Sequence, residues 1–185
     1  MRNLVMVVMV ALLALGSIGR VEAADAPPDR DFYLSDTDPE IARDLRIVQY
    51  AHVDKVLPWM REGRLNMAIS ELQFTLYLFP NHPEALMLSE AVSKVAKTPY
   101  LAQGFYERAI ALFPEYAITH AQYGHYLVSI GRVSEGIESL RRATEMDPSL
   151  AAGFGWLAEA YEKAGKPELA RQVAKQAAQL GYSAK

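Results

Sequence analysis

The sequence predicts an all-α fold, a right-handed α-solenoid of about four helix-turn-helix repeats, on three observations. Pro80, Pro114 and Pro148 recur at an interval of 34 residues, in the phrases Leu78-Phe79-Pro80, Leu112-Phe113-Pro114 and Met146-Asp147-Pro148. Laid out at that period, the chain aligns small residues at Ala68, Ala102, Gly136 and Ala170, then Leu72, Tyr106, Leu140 and Ala174, then Thr75, Ala109, Ala143 and Ala177. A turn residue falls in the middle of each unit, at Gly63, Lys97, Gly131 and Gly165. Self-similarity at one fixed period marks an array in which each unit buries its apolar face against its neighbours.

The units span about residues 49–82, 83–116, 117–150 and 151–184, within a domain of 39–182. Helices are predicted at 49–62, 65–79, 83–96, 99–113, 116–130, 133–146, 150–164 and 167–180, with 39–48 extending the first one backwards. The small residues let paired helices approach closely, and Leu72, Tyr106 and Leu140 fill the adjacent groove one turn on. Gly63, Gly131 and Gly165 suit the left-handed conformation that ends a helix. Pro80, Pro114 and Pro148 stop the second helix of each unit, and Pro99 and Pro167 fit the first turn of the next. Asp38-Pro39-Glu40 reads as an N-cap aspartate followed by a proline at the first helical position. Pro58, inside the first helix, is expected to kink it.

The third unit carries Tyr123-Gly124, Leu127 and Gly131, and the fourth carries Phe154, Leu157, Ala158, Tyr161, Gly165 and Ala170. In these residues the chain resembles the tetratricopeptide repeat, over about residues 49–182. The second unit departs most, with Ser89, Glu90 and Ser93 where large, small and aromatic residues are usual, so its first helix is the weakest expectation. The resemblance implies a concave groove lined by the first helices. Carried over by repeat position, the groove residues are Tyr50, Val53, Leu57 and Met60, then Met87 and Ala91, then Ile118, Ala121 and His125, then Glu159. The groove is thus apolar toward the N-terminal half and acidic at its far end. The lysines and asparagines of the subfamily that clamps chaperone C-termini are absent from the matching positions, so that role is disfavoured.

The first segment reads as an address. Arg2 precedes an uncharged apolar run from Leu4 to Leu15, then Gly16, Ser17 and Gly19, then Val21-Glu22-Ala23. This is the pattern of a cleavable secretory signal over 1–23, with the cut after Ala23 and a periplasmic or secreted product. The apolar run is short against the about 20 residues of a spanning helix, so no stable membrane span is expected once the signal is removed. Residues 24–38 read as a flexible leader, in which Phe32, Tyr33 and Leu34 either dock on the domain as a strap or stay loose. A docked leader is also the alternative cover for the groove.

Composition excludes several function classes. The chain has 185 residues, 51% of them hydrophobic and 22% charged, enough for a sizeable core. The formal net charge of −3 argues against broad electrostatic binding of nucleic acid. Cysteine is absent, which removes disulfides, thiolate zinc sites and cysteine catalysis. His120 and His125 lie five apart, off the one-face spacing of a helical metal pair; His52 and His120 are two units apart; His82 reads as a solvated loop residue. Gly153-Phe154-Gly155 lacks a third glycine and a preceding strand, and reads as close helix packing. Trp59 faces the inter-helix core, and Trp156 either contacts a ligand or packs on the next helix. No catalytic residue, metal ligand or cofactor is assigned.

The function expected from these readings is a non-catalytic protein–protein interaction module of the cell envelope, an adaptor or assembly factor that binds a partner helix or peptide in the groove. A structural homo-oligomer and a histidine-based metal carrier are the alternatives.

Overall fold

The computed structural model describes residues 29–183, and all regular structure in them is helical. A 3-10 turn at Phe32–Leu34 comes first. Then follow α1 (Pro39–Val48), a π-turn (Gln49–Val53) that runs on into α2 (Asp54–Arg61), and α3 (Leu65–Leu78). The remaining helices are α4 (Pro83–Ala96), α5 (Tyr100–Leu112), α6 (Ala117–Ser129), α7 (Val133–Met146), α8 (Ala151–Lys163) and α9 (Pro167–Gln179). Each element packs mainly on its neighbours in sequence, as an α-solenoid of helix-turn-helix units requires. The expected signal over 1–23, its cut after Ala23 and leader residues 24–28 lie outside the described residues.

The turns use the anticipated chemistry. Asp38 caps α1, its carboxylate accepting from the Glu40 and Ile41 amides at 2.8 and 3.2 Å, with Pro39 in the first turn. Gly63, Gly131 and Gly165 take positive φ. So does Lys97, at φ 55°, the only non-glycine to do so among the described residues. α3, α5 and α7 each end two residues before their prolines. Pro167 sits in the first turn of α9, whereas Pro99 is the N-cap of α5 and lies just outside it.

The first helix is not regular. Its irregularity is the π-turn, where the Asp54 amide reaches back five residues to the Gln49 carbonyl, one turn ahead of Pro58. Pro58 lies inside α2 and has no N–H for the Asp54 carbonyl.

Two readings change. Of the two alternatives for the leader, its described part, residues 29–38, takes the docked one, a strap. The Arg30 amide donates to the Leu78 carbonyl at 2.9 Å and the Phe32 amide to Asn81 Oδ1 at 2.9 Å. Asp31 is buried, accepting from Asn81 Nδ2 at 2.7 Å and from the Tyr116 hydroxyl at 2.5 Å. The Tyr33 ring stacks on Tyr116 at 4.3 Å between centroids. The second correction is His82, which is 2% exposed rather than solvated. Its Nδ1 accepts the Ala85 amide as the cap of α4, its Nε2 meets Gln49 Oε1 at 3.2 Å, and Phe32 packs on its ring. Burial lowers its pKa from 6.5 to about 4, because the imidazolium has no water there.

The core runs along the helix pairs. Val56, Ala68, Leu72, Leu76, Leu86, Val92, Ala102 and Tyr106 form one cluster; Ala121, Leu140, Ala143, Leu157 and Ala160 form the next. In unit 3 the pairing is closest. A Cβ added at Gly136 would stand 2.4 Å from Val128 Cγ2 and 2.7 Å from the Gly124 carbonyl oxygen, so only glycine permits this crossing.

Candidate functional site

The first helix of unit 2, weakest on sequence, forms in full as α4, and its departures from the pattern shape the site. Glu90 occupies the repeat position held by Gly124 in unit 3 and Ala158 in unit 4. A long acid cannot sit in the close crossing that glycine permits, and α4 and α5 touch far less than α6 and α7 do. Besides the core they share through Leu86, Val92, Ala102 and Tyr106, polar contacts join them: the Tyr106 hydroxyl donates to Glu90 Oε1 at 2.5 Å, and the Ala102 amide to Ser93 Oγ at 3.1 Å. Burial raises the Glu90 carboxyl from 4.5 to about 7, and the Tyr106 hydrogen bond only partly offsets this.

Beside this spread pair a cavity of about 490 Å³ opens between the first helices of units 2 and 3, α4 and α6. Met87, Ala91, Ile130 and the Tyr126 ring give it apolar walls, Glu90 a carboxyl, and Lys94 and Lys97 a basic rim. Tyr126 spends its hydroxyl on the Pro99 carbonyl. His125 also lines the cavity and packs its ring on Trp156 at 4.8 Å, so Trp156 serves to pack α8 on α6. Burial is the main cause of the lowered His125 pKa.

The structure divides the groove residues predicted from repeat position. Met87, Ala91 and His125 line the cavity. Val53 and Ala121 do not serve a groove: they are 1% and 0% exposed, Val53 in a cluster with Val48 and Phe79, Ala121 in the core of units 3 and 4. Val53 is the last residue of the π-turn. Met60 packs on the core of units 1 and 2 and is half-buried, as is Ile118 in the first turn of α6. Tyr50, on the π-turn, is 81% exposed, and Leu57 is open to solvent. Glu159 lines a different pocket, at the open end of unit 4, under Tyr182. The docked arm touches the α3–α4 turn, Arg108 and Tyr116, none of which lines the cavity between α4 and α6, so its described part leaves that cavity open.

Glu90, Lys97 and Ile130 were not among the predicted site residues. The signal for Glu90 was present, as an acid at a repeat position otherwise filled by Val56, Gly124 and Ala158. The four histidines have separate partners: His52 Nδ1 meets Glu71 at 2.6 Å and His120 Nε2 the Pro114 carbonyl at 2.9 Å. No group of three His, Asp or Glu converges among the described residues. No helix among them is long and apolar enough to cross a membrane.

A family model for the tetratricopeptide repeat matches residues 117–150, the third unit in the register read from the prolines. No curated protein matches the sequence. Solved structures share the fold. Pseudomonas aeruginosa PilF superposes with a TM-score of 0.56 at 22% identity, over 72% of this chain and 61% of PilF, so the chain spans less than two thirds of that relative. MamA from Desulfovibrio magneticus RS-1 gives 0.54 at 21% identity over 78% of this chain and 76% of its own. YrrB, described as a TPR protein with an unusual peptide-binding site, gives 0.52 at 18% over 84% and 86%.

Proposed function

We propose that this tetratricopeptide-repeat protein is a non-catalytic interaction module exported to the cell envelope, an adaptor or assembly factor that holds a helix or peptide of a protein partner against the first helices of its units. The observation that carries the reading is the open, apolar-walled cavity between α4 and α6. Its volume of about 490 Å³ is within the range of ligand-binding clefts, and Met87 at its edge is 49% exposed. YrrB, described by its peptide-binding site, offers an analogy of fold for such use. Export rests on Arg2, the run Leu4–Leu15 and Val21-Glu22-Ala23.

The test is capture from envelope extract with the parent and with Met87→Glu. Burying one apolar anchor is worth about 1.5–3 kcal/mol, so a charge there should weaken capture by about one to two orders of magnitude. Gln73→Glu, exposed on α3, should leave capture unchanged. Undiminished capture by a folded Met87→Glu protein would refute the groove. N-terminal sequencing of the extracytoplasmic protein should begin at Ala24; an intact Met1 there would refute cleavage.

A further inference from the structure

We infer that the cavity between α4 and α6 receives an aromatic side chain with a hydrogen-bond donor, tyrosine or tryptophan, flanked in the partner's sequence by a carboxylate. The inference rests on the groove reading above and specifies its ligand.

The walls set the first requirement. Met87, Ala91 and Ile130 offer apolar contact of the kind that fits an aromatic ring. Glu90 sets the second. One of its oxygens accepts from Tyr106, and it has no other hydrogen bond or ion pair among the described residues. It lines the cavity, and neither oxygen is sealed from solvent without a partner. A carboxyl group has room for several further donors. The neighbouring hydroxyls do not supply one, since Tyr126 donates to the Pro99 carbonyl and Ser129 to the Tyr126 carbonyl. A purely apolar ring would strip water from Glu90 and give nothing back; a ring ending in O–H or N–H restores the lost bond.

The rim sets the third requirement. Lys94 and Lys97 both line the cavity, and neither has an ion pair among the described residues. Lys94 stands four residues after Glu90, yet their side chains do not pair. The Lys97 amide bonds to the carbonyls of Lys94 and Ser93, which fixes the backbone that presents its side chain. Two free cations on one edge favour a carboxylate beside the inserted ring and repel a lysine or arginine there.

The test is a titration of the ¹⁵N-labelled protein with three acetylated, amidated tripeptides: Asp-Tyr-Asp, Asp-Phe-Asp and Lys-Tyr-Lys. Asp-Tyr-Asp should shift the amides of Met87, Ala91, Ser129 and Ile130, and bind about tenfold more tightly than Asp-Phe-Asp. Lys-Tyr-Lys should bind more weakly than Asp-Tyr-Asp, by a margin that shrinks as salt is added. Glu90→Met should abolish the tyrosine preference and keep the acidic one; Lys94→Gln combined with Lys97→Gln should do the reverse. The lysines are exposed, so that double variant stays folded even if Glu90→Met does not, and the tyrosine–phenylalanine comparison needs no variant. Equal binding of the tyrosine and phenylalanine peptides, or no saturable shift at these amides, overturns the inference. Shifts at the cavity without preference overturn it while sparing the groove; shifts confined to the far pocket around Ala158 and Ala174 overturn the groove as well.

Discussion

Where α6 crosses α7, Gly124 faces Gly136 and the backbones meet with no side chain between them; where α4 crosses α5, the same repeat positions hold Glu90 and Ala102. The two units have equal length and begin and end their helices at matching places. They differ in what holds the helices together. Unit 3 relies on backbone proximity and the buried Leu140 and Ala143. Unit 2 adds to its buried Leu86, Val92 and Ala102 the polar contacts of Tyr106 to Glu90 and Ala102 to Ser93. A stacked array tolerates this because the neighbours of a loosened unit supply its apolar contacts: Tyr106 stacks on Tyr126 of the next unit at 5.8 Å. Tight packing in one unit and an open, polar-floored cavity beside the other are thus alternative uses of one scaffold.

The comparison breaks most sharply at Gly136. Gly136→Leu should force α6 and α7 apart and lower stability by about 1–3 kcal/mol or more, measured by urea unfolding. An unchanged midpoint would mean that the Gly124–Gly136 contact does not hold unit 3 together. The next effect is on pH dependence. Glu90 has a folded-state pKa of about 7 against 4.5 in the free residue, so the folded state binds its proton more tightly. Its contribution is full below about pH 4.5 and is lost as pH rises through 7. Glu90→Gln removes that loss, and its advantage over the parent should grow between pH 5 and 8, by an amount on the order of 2 kcal/mol. His82 works in the opposite sense, since its contribution is present above 6.5 and lost as pH falls through 4. Comparing variant and parent at each pH cancels it. An advantage independent of pH would show that Glu90 is not held in its neutral form. The smallest effect is at the turns. Lys97→Gly should relieve a left-handed lysine and stabilise unit 2 by about 1 kcal/mol, whereas Gly131→Ala should destabilise unit 3 by a similar amount. Changes of the same sign would place the strain elsewhere.

The solenoid was legible because proline, glycine and small residues act locally. Pro114 and Pro148 stop helices whatever packs on them, and the Gly131 and Gly165 turns need only their own φ. Helix ends consequently fall within a residue or two of expectation, apart from the π-turn. The site was legible only in part. Repeat position alone placed Met87, Ala91 and His125 on the cavity but could not distinguish Val53 and Ala121, which occupy equivalent positions and are buried. Val53 ends the π-turn, and that change of pitch is a property of the backbone rather than of the residue. Glu90, which lines the cavity, departs from its repeat position, and such a departure is visible only when the units are compared with one another. His82 was misread because a histidine in a proline turn looks solvated until the arm that covers it is known; that arm bonds Asn81, 49 residues from Phe32.

The arm also has a consequence in time. The bond from Tyr116 to Asp31 spans 85 residues and the one from Arg108 to Asp29 spans 79, whereas the helix pairs close over one repeat. Asp31 stands early in the chain and Tyr116 much later, so the arm has no complete docking surface until the last residue of unit 2 is in place. Short-range helix pairs form ahead of such distant contacts, because closing a longer loop costs more chain entropy. The first described residues in the chain are therefore seated late, and the join between units 1 and 2 is fastened only after the helix pairs it fastens have formed.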